Sequence, residues 1–242
     1  MIPLIYYTAK LNTTERGMKM AQNSRNSLSK QDVLDNILDK ILYLELKPGD
    51  SILDTELAKE LNVSRTPIRE ALLFLKQSSL IDIYPQSGTF VALIDIDLIR
   101  EIVYVRHIIE REILLSLFEK NENISSRVER YILLQELAVK ENSQKDYVKN
   151  DHLFHKELFA IAGHKRSWEL IQNQYIHTTR FHMLDFYNSK TVLATSLQEH
   201  KEMVSCFKNG DKEELLRLID IHHDCNLRTA ETLKEKYPDY FL

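Results

Sequence analysis

The chain has 242 residues, 43% of them hydrophobic and 28% charged, with a formal net charge of -4 at pH 7. That balance excludes a fibre and a membrane protein, and the length allows two domains, each with its own core. No apolar stretch reaches the roughly 20 residues that a bilayer span requires, and Ile2–Tyr7 lacks the preceding charge and the small-residue cleavage site of a signal peptide, so a cytosolic protein is expected. Cys206 and Cys225 alone make a disulfide framework unexpected, and both should be reduced.

Residues 1–28 are polar and aperiodic, with Asn-Thr-Thr and Asn-Ser-Arg-Asn-Ser clusters, and are expected to form a flexible tail in which Met18 or Met20 could be the true start. Ser29 and Asp32 then form a capping-box pattern, and Val33, Leu34, Ile37, Leu38, Ile41 and Leu42 repeat at helical spacing until Lys47-Pro48-Gly49. Asp54 is placed to cap a second helix ending at Leu61. Asn62 suits a left-handed corner, and Ser64 is placed to cap a third helix whose apolar face is Ile68, Ala71, Leu72 and Leu75. Leu80–Tyr84 and Thr89–Leu93 are short β-rich runs around Pro85-Gln86-Ser87-Gly88, a hairpin. Three helices and a hairpin predict a winged helix-turn-helix domain over residues 29–93.

From Asp95 to Leu242 every segment has helical periodicity. Six helices are expected, near 95–120, 124–141, 146–162, 166–187, 192–208 and 211–236, forming an all-helical bundle. The expected fold is thus mainly α, a winged helix followed by a six-helix bundle.

If the apolar face of the third helix meets the core, Arg65, Thr66, Arg69 and Lys76 project from the other side. Arg is suited to bidentate contact with guanine or phosphate, and the hydroxyls of Ser64 and Thr66 can bond phosphate beside the helix-start N–H groups. Ser87 and Gly88 at the hairpin tip are small enough to approach a DNA backbone or minor groove. Between Leu28 and Ala92 there are seven Lys or Arg against ten Asp or Glu, so any DNA contact must be local and positioned. The plainer alternative is an ordinary charged surface.

All nine histidines lie in the helical half. Asp151 and His155, four residues apart, share a helix face with Val148, Leu158, Phe159 and Ala162, which places a carboxylate among core residues, where it needs a neutralising partner. His200 is in register with Leu193, Leu197, Val204 and Phe207, and His222 with Leu215, Leu218, Ile219 and Cys225. One Asp and three His suit a divalent transition metal such as Zn, Ni, Co, Fe or Mn and disfavour Ca or Mg. Each histidine taken alone could instead be satisfied by a hydrogen bond, and His223 rivals His222 if its helix is slightly rotated. His152, about 100° from Asp151, should face outward. His107, His164 and His182 have no constellation, and His177 is either a pocket residue or a satisfied core residue. Arg106 and Arg180 sit near apolar neighbours, where an Arg fork can clamp a carboxylate. For Arg106 an internal ion pair with Glu110 is the alternative.

The runs Leu46-Lys47-Pro48-Gly49-Asp50, Glu56-Leu57-Ala58, Val63–Leu72 (VSRTPIREAL) and Gly88-Thr89-Phe90-Val91 resemble the N-terminal domain of GntR-family transcription regulators. The helical half resembles the FCD domain of the FadR-type branch, through Asp151-x-x-x-His155, Glu199-His200, and His222 eleven residues after Asp211. The resemblance implies a DNA-binding regulator, expected to be a repressor. It further implies a homodimer on a palindromic operator in the bacterial cytoplasm, with DNA contacts at Ser64, Arg65, Thr66, Arg69 and Gly88. It also implies a divalent metal at Asp151, His155, His200 and His222, with Zn, Ni or Mn favoured, and a small organic acid effector that Arg106 helps to bind. Thr55 replaces a family Arg, Asn62 a corner Gly and Ser79 a Gly before the hairpin, so the operator sequence does not carry over. A metalloenzyme using the same Asp/His set, or a regulator with a purely structural metal, are the competing readings. No catalytic residue is assigned and an enzyme is not expected.

Overall fold

The computed structural model describes residues 28–242, with the side chains of residues 125, 173, 190 and 224–226 set aside. The expected tail, apart from Leu28, and both alternative methionine starts lie outside the described residues. The chain forms two compact units: one runs to Asp95 and takes in Tyr237–Leu242, and the other is Ile96–Lys236. The last six residues, expected with the helical half, belong to the first unit because Ile94 donates to and accepts from the backbone of Tyr240 and Leu242, at 2.8 and 3.1 Å.

In the first unit, α1 (Lys30–Leu42) begins with Ser29, whose hydroxyl accepts from the Asp32 backbone while the Asp32 side chain reaches back to the Ser29 N–H, a complete capping box. Its face of Val33, Ile37, Leu38, Ile41 and Leu42 is buried against α3, and each such aliphatic side chain contributes about 1.5–3 kcal/mol. Helix α2 (Asp54–Glu60) ends at Asn62, which takes the left-handed conformation at φ 51° so that the chain can turn into α3 (Arg65–Gln77). Strands β2 (Ile81–Tyr84) and β3 (Gly88–Val91) form the expected hairpin, with Ile81 opposite Val91 and Tyr84 opposite Gly88. A third strand, β1 (Ser51–Ile52), pairs with the other edge of β3, giving the order β1-β3-β2. Two residues are too few to show a period, so nothing in the sequence announces that strand.

Ser79 stands just before β2 at φ 55°, a left-handed conformation that a side chain disfavours by roughly 1–2 kcal/mol. Ser79→Gly removes that strain at some cost in chain entropy, so a gain of about 0.5–1 kcal/mol is expected. An unchanged or lower thermal midpoint would contradict it.

The second unit holds α4 (Ile96–Glu119), α5 (Ser125–Glu141), α6 (Gln144–Ile161), α7 (Lys165–Ile171), α8 (Tyr175–Asn188), α9 (Lys190–Asn209), α10 (Lys212–Arg228) and α11 (Ala230–Lys236). Two of the six expected segments are divided. A 3-10 turn at Gln172–Gln174 separates α7 from α8, and the chain breaks at Thr229 between α10 and α11. Neither break has a Gly or Pro to announce it. Asn142 and Gly210, both in the left-handed region at φ 55° and 72°, end α5 and α9. Helix α6 packs against α4, α5, α7 and α8, so it is enclosed on several sides. The core joins Leu114, Leu117, Tyr147, Phe154, Phe159, Trp168, Leu193 and Leu215. Among the described residues no helix is long and apolar enough to cross a membrane.

Candidate functional site

The start of α3 carries the first candidate surface. Ile68, Ala71, Leu72 and Leu75 are buried, which leaves Ser64, Arg65, Thr66, Arg69 and Lys76 exposed on the opposite side, as the spacing requires. Ser64 occupies the N-cap position but its hydroxyl makes no capping bond, and Asp54, expected to cap α2, makes none either, since Leu53 holds that place. Asp54 instead accepts from Arg65 Nε and Nη2 at 3.1 and 2.8 Å and from Arg69 Nε at 2.9 Å. One carboxylate therefore spreads two guanidinium groups across one turn of helix, and Arg65, then Arg69, lower its pKa. Gly88 is exposed where the hairpin re-enters β3, at φ 122°, a conformation only glycine takes up readily.

The second candidate is built in the helical unit from α6, α9 and α10. His155, His200 and His222 each turn one ring nitrogen inward, so that these donor atoms all lie within 4.8 Å of one another, and all three residues are buried. Asp151 joins them, its Oδ1 lying 3.6 Å from His200 Nε2 and 3.9 Å from His155 Nε2. The Nε2 atoms of His155 and His200 are buried and have no hydrogen-bond partner.

Each opposite ring nitrogen is held. His155 Nδ1 lies 3.0 Å from Glu110 Oε2, His200 Nδ1 lies 2.9 Å from Gln135 Oε1, and His222 Nδ1 lies 2.8 Å from Glu199 Oε2. These partners accept, so Nδ1 carries the hydrogen and Nε2 presents a lone pair, the state a metal ligand needs. Burial pushes the pKa of His155 down and that of His200 far down, which keeps both neutral. The four residues named from sequence spacing are thus brought together, and the orphaned lone pairs with their held tautomers fit a divalent transition metal.

His223 turns away and sets Nε2 at 3.1 Å from Glu110 Oε2, so the slight helix rotation that would favour it over His222 is not seen. Arg106 donates from Nε to Glu110 Oε1 at 2.6 Å and stacks over Tyr175 with its central carbon 4.4 Å from the ring centroid. Tyr175 donates its hydroxyl to the same oxygen at 2.8 Å. Burial would raise the Glu110 carboxyl, but Arg106, with His155 and His223, outweighs it and holds it well below the ordinary carboxylate value. Glu110 is therefore a buried anion that ties Arg106 to His155.

Sequence reasoning missed Gln135 and Glu199 as partners. Glu199 precedes His200, so the two point in different directions from α9 and serve different imidazoles, a relation periodicity does not carry. His152, expected outward, is buried with ring centroids 4.8 Å from Trp168 and 5.1 Å from Tyr175, because α6 is enclosed on that side too. His107, expected to stand apart, is half-exposed with Nε2 2.7 Å from Asp220 Oδ1. Cys206 is buried, and burial pushes its thiol up to about 11, so it is an inert thiol.

A cavity of about 290 Å³ adjoins the cluster and shares His222 and Glu199 with it. Its other walls come from α8, the start of α9 and the end of α10, including His182, Asp185, Ser196 and Thr229. His182, expected to have no constellation, thus faces it, while His177 and Arg106 are not among its lining residues.

Burial pushes His152 down to about 3 and His182 down to about 4, from an ordinary 6.5. The unfolded chain takes up protons on both below about pH 6.5, whereas the folded chain does not until pH is near 4 and 3. Their contribution to stability is complete above pH 6.5 and is lost as pH falls through that window. The thermal midpoint is expected to drop on the order of 5–10 °C between pH 7 and 5, above most carboxylate titration. A midpoint flat over that range would contradict this.

Residues 29–91 match the family described as bacterial regulatory proteins, gntR family, and residues 101–224 match the FCD domain. A regulator of the helix-turn-helix type in an unstable DNA locus of Streptomyces ambofaciens is 25% identical over 223 residues, covering 92% of this chain and 93% of the relative. The helix-turn-helix transcriptional repressor RspR of Escherichia coli K12 is 24% identical over 204 residues, covering 83% and 88%. A GntR transcriptional regulator from Rhodococcus sp. RHA1 has the same fold at a TM-score of 0.71 and 20% identity, covering 84% of this chain and 97% of that one. With both domains matched in this order, the chain belongs to the GntR family of bacterial regulatory proteins, with an FCD domain as its helical half, and is a DNA-binding transcriptional regulator.

Proposed function

We propose that this regulator is a metal-dependent repressor that a small carboxylate releases from its operator. The observation that carries the reading is the convergence of His155, His200 and His222 beside Asp151, with each Nδ1 fixed from outside and a cavity sharing His222. These four residues would hold the ion, which supplies a Lewis-acid centre for a carboxylate oxygen; Zn, Ni or Mn suits the donor set. Glu110, Gln135 and Glu199 orient the imidazoles. Arg106 holds Glu110 through Nε and stacks on Tyr175, and its buried Nη2, which has no hydrogen-bond partner, would be left for the effector carboxylate. Binding, not turnover, is the role assigned to this site.

At the other end, Arg65 and Arg69, spread by Asp54, would enter the major groove, with Ser64 and Thr66 on phosphate and Gly88 close to the backbone beside the wing. A homodimer would set two such helices on a palindromic operator with half-sites about one DNA turn apart, in the bacterial cytoplasm. The repressor sense is supported by the name of the E. coli relative RspR. The effector can release DNA only if the dimer geometries with and without DNA bind it with different affinity.

The test is an operator mobility-shift titration on protein stripped by chelator and then reloaded with Zn, Ni or Mn, with carboxylates added. Release by a carboxylate only in the reloaded protein is expected. Release that is equal with and without metal, or no release by any carboxylate, would overturn the reading.

A further inference from the structure

The cavity beside the metal ligands has a second pole. Asp185 is 2% exposed and its Oδ1 is buried without a hydrogen-bond partner, and His182 Nε2 is buried and unpartnered as well. Both line the cavity, and being three residues apart on α8 they share one face of that helix. Thr229, just after α10, sets its hydroxyl beside the Asp185 carboxylate, and Ser196 on α9 adds a hydroxyl to the same wall. A buried carboxylate oxygen left unpaired is unfavourable, and a ligand that brings a donor would relieve it. A second carboxylate is the wrong partner there, since it would meet the charge of Asp185 at short range. Arg228, which also lines the cavity, is exposed, so its charge is screened by solvent. The volume, about 290 Å³, lies at the small end of ligand pockets and leaves no room for a long acyl chain.

We propose that Asp185 and His182 form the selecting pole of this cavity and that the effector is a small polyhydroxylated carboxylate. Its acid group lies toward His222 and its hydroxyls donate to Asp185. The proposal rests on reading the histidine cluster as an effector-binding metal site.

The test is calorimetric titration of the metal-loaded, full-length protein with acids paired by chain length: threonate against butyrate, gluconate against hexanoate, and adipate as the dianion. In each pair the polyhydroxylated acid is expected to bind about tenfold tighter or more. Asp185→Asn should bring each pair to within about twofold with metal content unchanged, and Thr229→Val should reduce the preference in the same direction. Equal binding within the pairs, tightest binding of adipate, or a preference that survives Asp185→Asn would overturn this proposal while leaving the metal site as the carboxylate receptor. Binding of none of the five acids to protein with confirmed metal would overturn both.

Discussion

Replacing His155 with Ala is expected to abolish stoichiometric metal uptake and, with it, any gain in stability from added metal. Two separate losses meet at this residue. The first is a ligand: His155 offers one of three imidazole nitrogens that lie within 4.8 Å of one another, and none of the described groups takes its place. The effect should exceed the ~10–100-fold that changing an outer partner such as Glu110 would cost. The second is a hydrogen bond, because His155 lies 3.0 Å from Glu110 Oε2 and its removal leaves that buried carboxylate oxygen with His223. The metal-free variant should therefore also melt lower by about 1–3 kcal/mol. Metal titrations separate the two losses. Wild type should gain about 4 kcal/mol when metal stands at a thousand times its dissociation constant, and the variant should gain nothing. Full metal occupancy in the variant would remove His155 as a ligand.

Replacing Arg65 with Ala should weaken operator binding by about 1–3 kcal/mol, roughly 5- to 150-fold, with metal content unchanged. Arg65 is 52% exposed, and Asp54 holds its fork in a fixed direction at the start of α3, so the guanidinium is presented rather than searching. Competition between operator and random DNA at two salt concentrations tells its role. A base contact appears as lost discrimination, whereas a phosphate contact appears as uniform weakening with the salt slope reduced by about one. Unchanged affinity for operator would count against α3 as the reading helix.

What was legible in the sequence is what local periodicity and local chemistry determine. Ser29 with Asp32, the apolar faces of α1 and α3, and the left-handed Asn62 all follow from residues within a turn or two of one another. So does the stacking of Asp151 on His155, and the inward registers of His200 and His222 follow from their own helices. The rest depends on tertiary neighbours. Asp54 has the composition of a cap, yet Arg65 and Arg69 from the next helix claim it. Glu110, Gln135 and Glu199 reach imidazoles on other helices, which no single-helix pattern relates. His152 is buried because α7 and α8 cover a second face of α6, and β1 exists because β3 offers it an edge.

The central claim is that the histidine pocket and the DNA-reading helix belong to one switch. Linkage makes that claim reciprocal: whatever factor a carboxylate takes from operator affinity, operator must take from carboxylate affinity. The direct measurement is the dissociation constant of a carboxylate for the metal-loaded protein, free and saturated with operator. A carboxylate that binds the DNA-bound protein more weakly, by the same factor it lowers operator affinity, is the predicted result. Identical constants in the two states would contradict it.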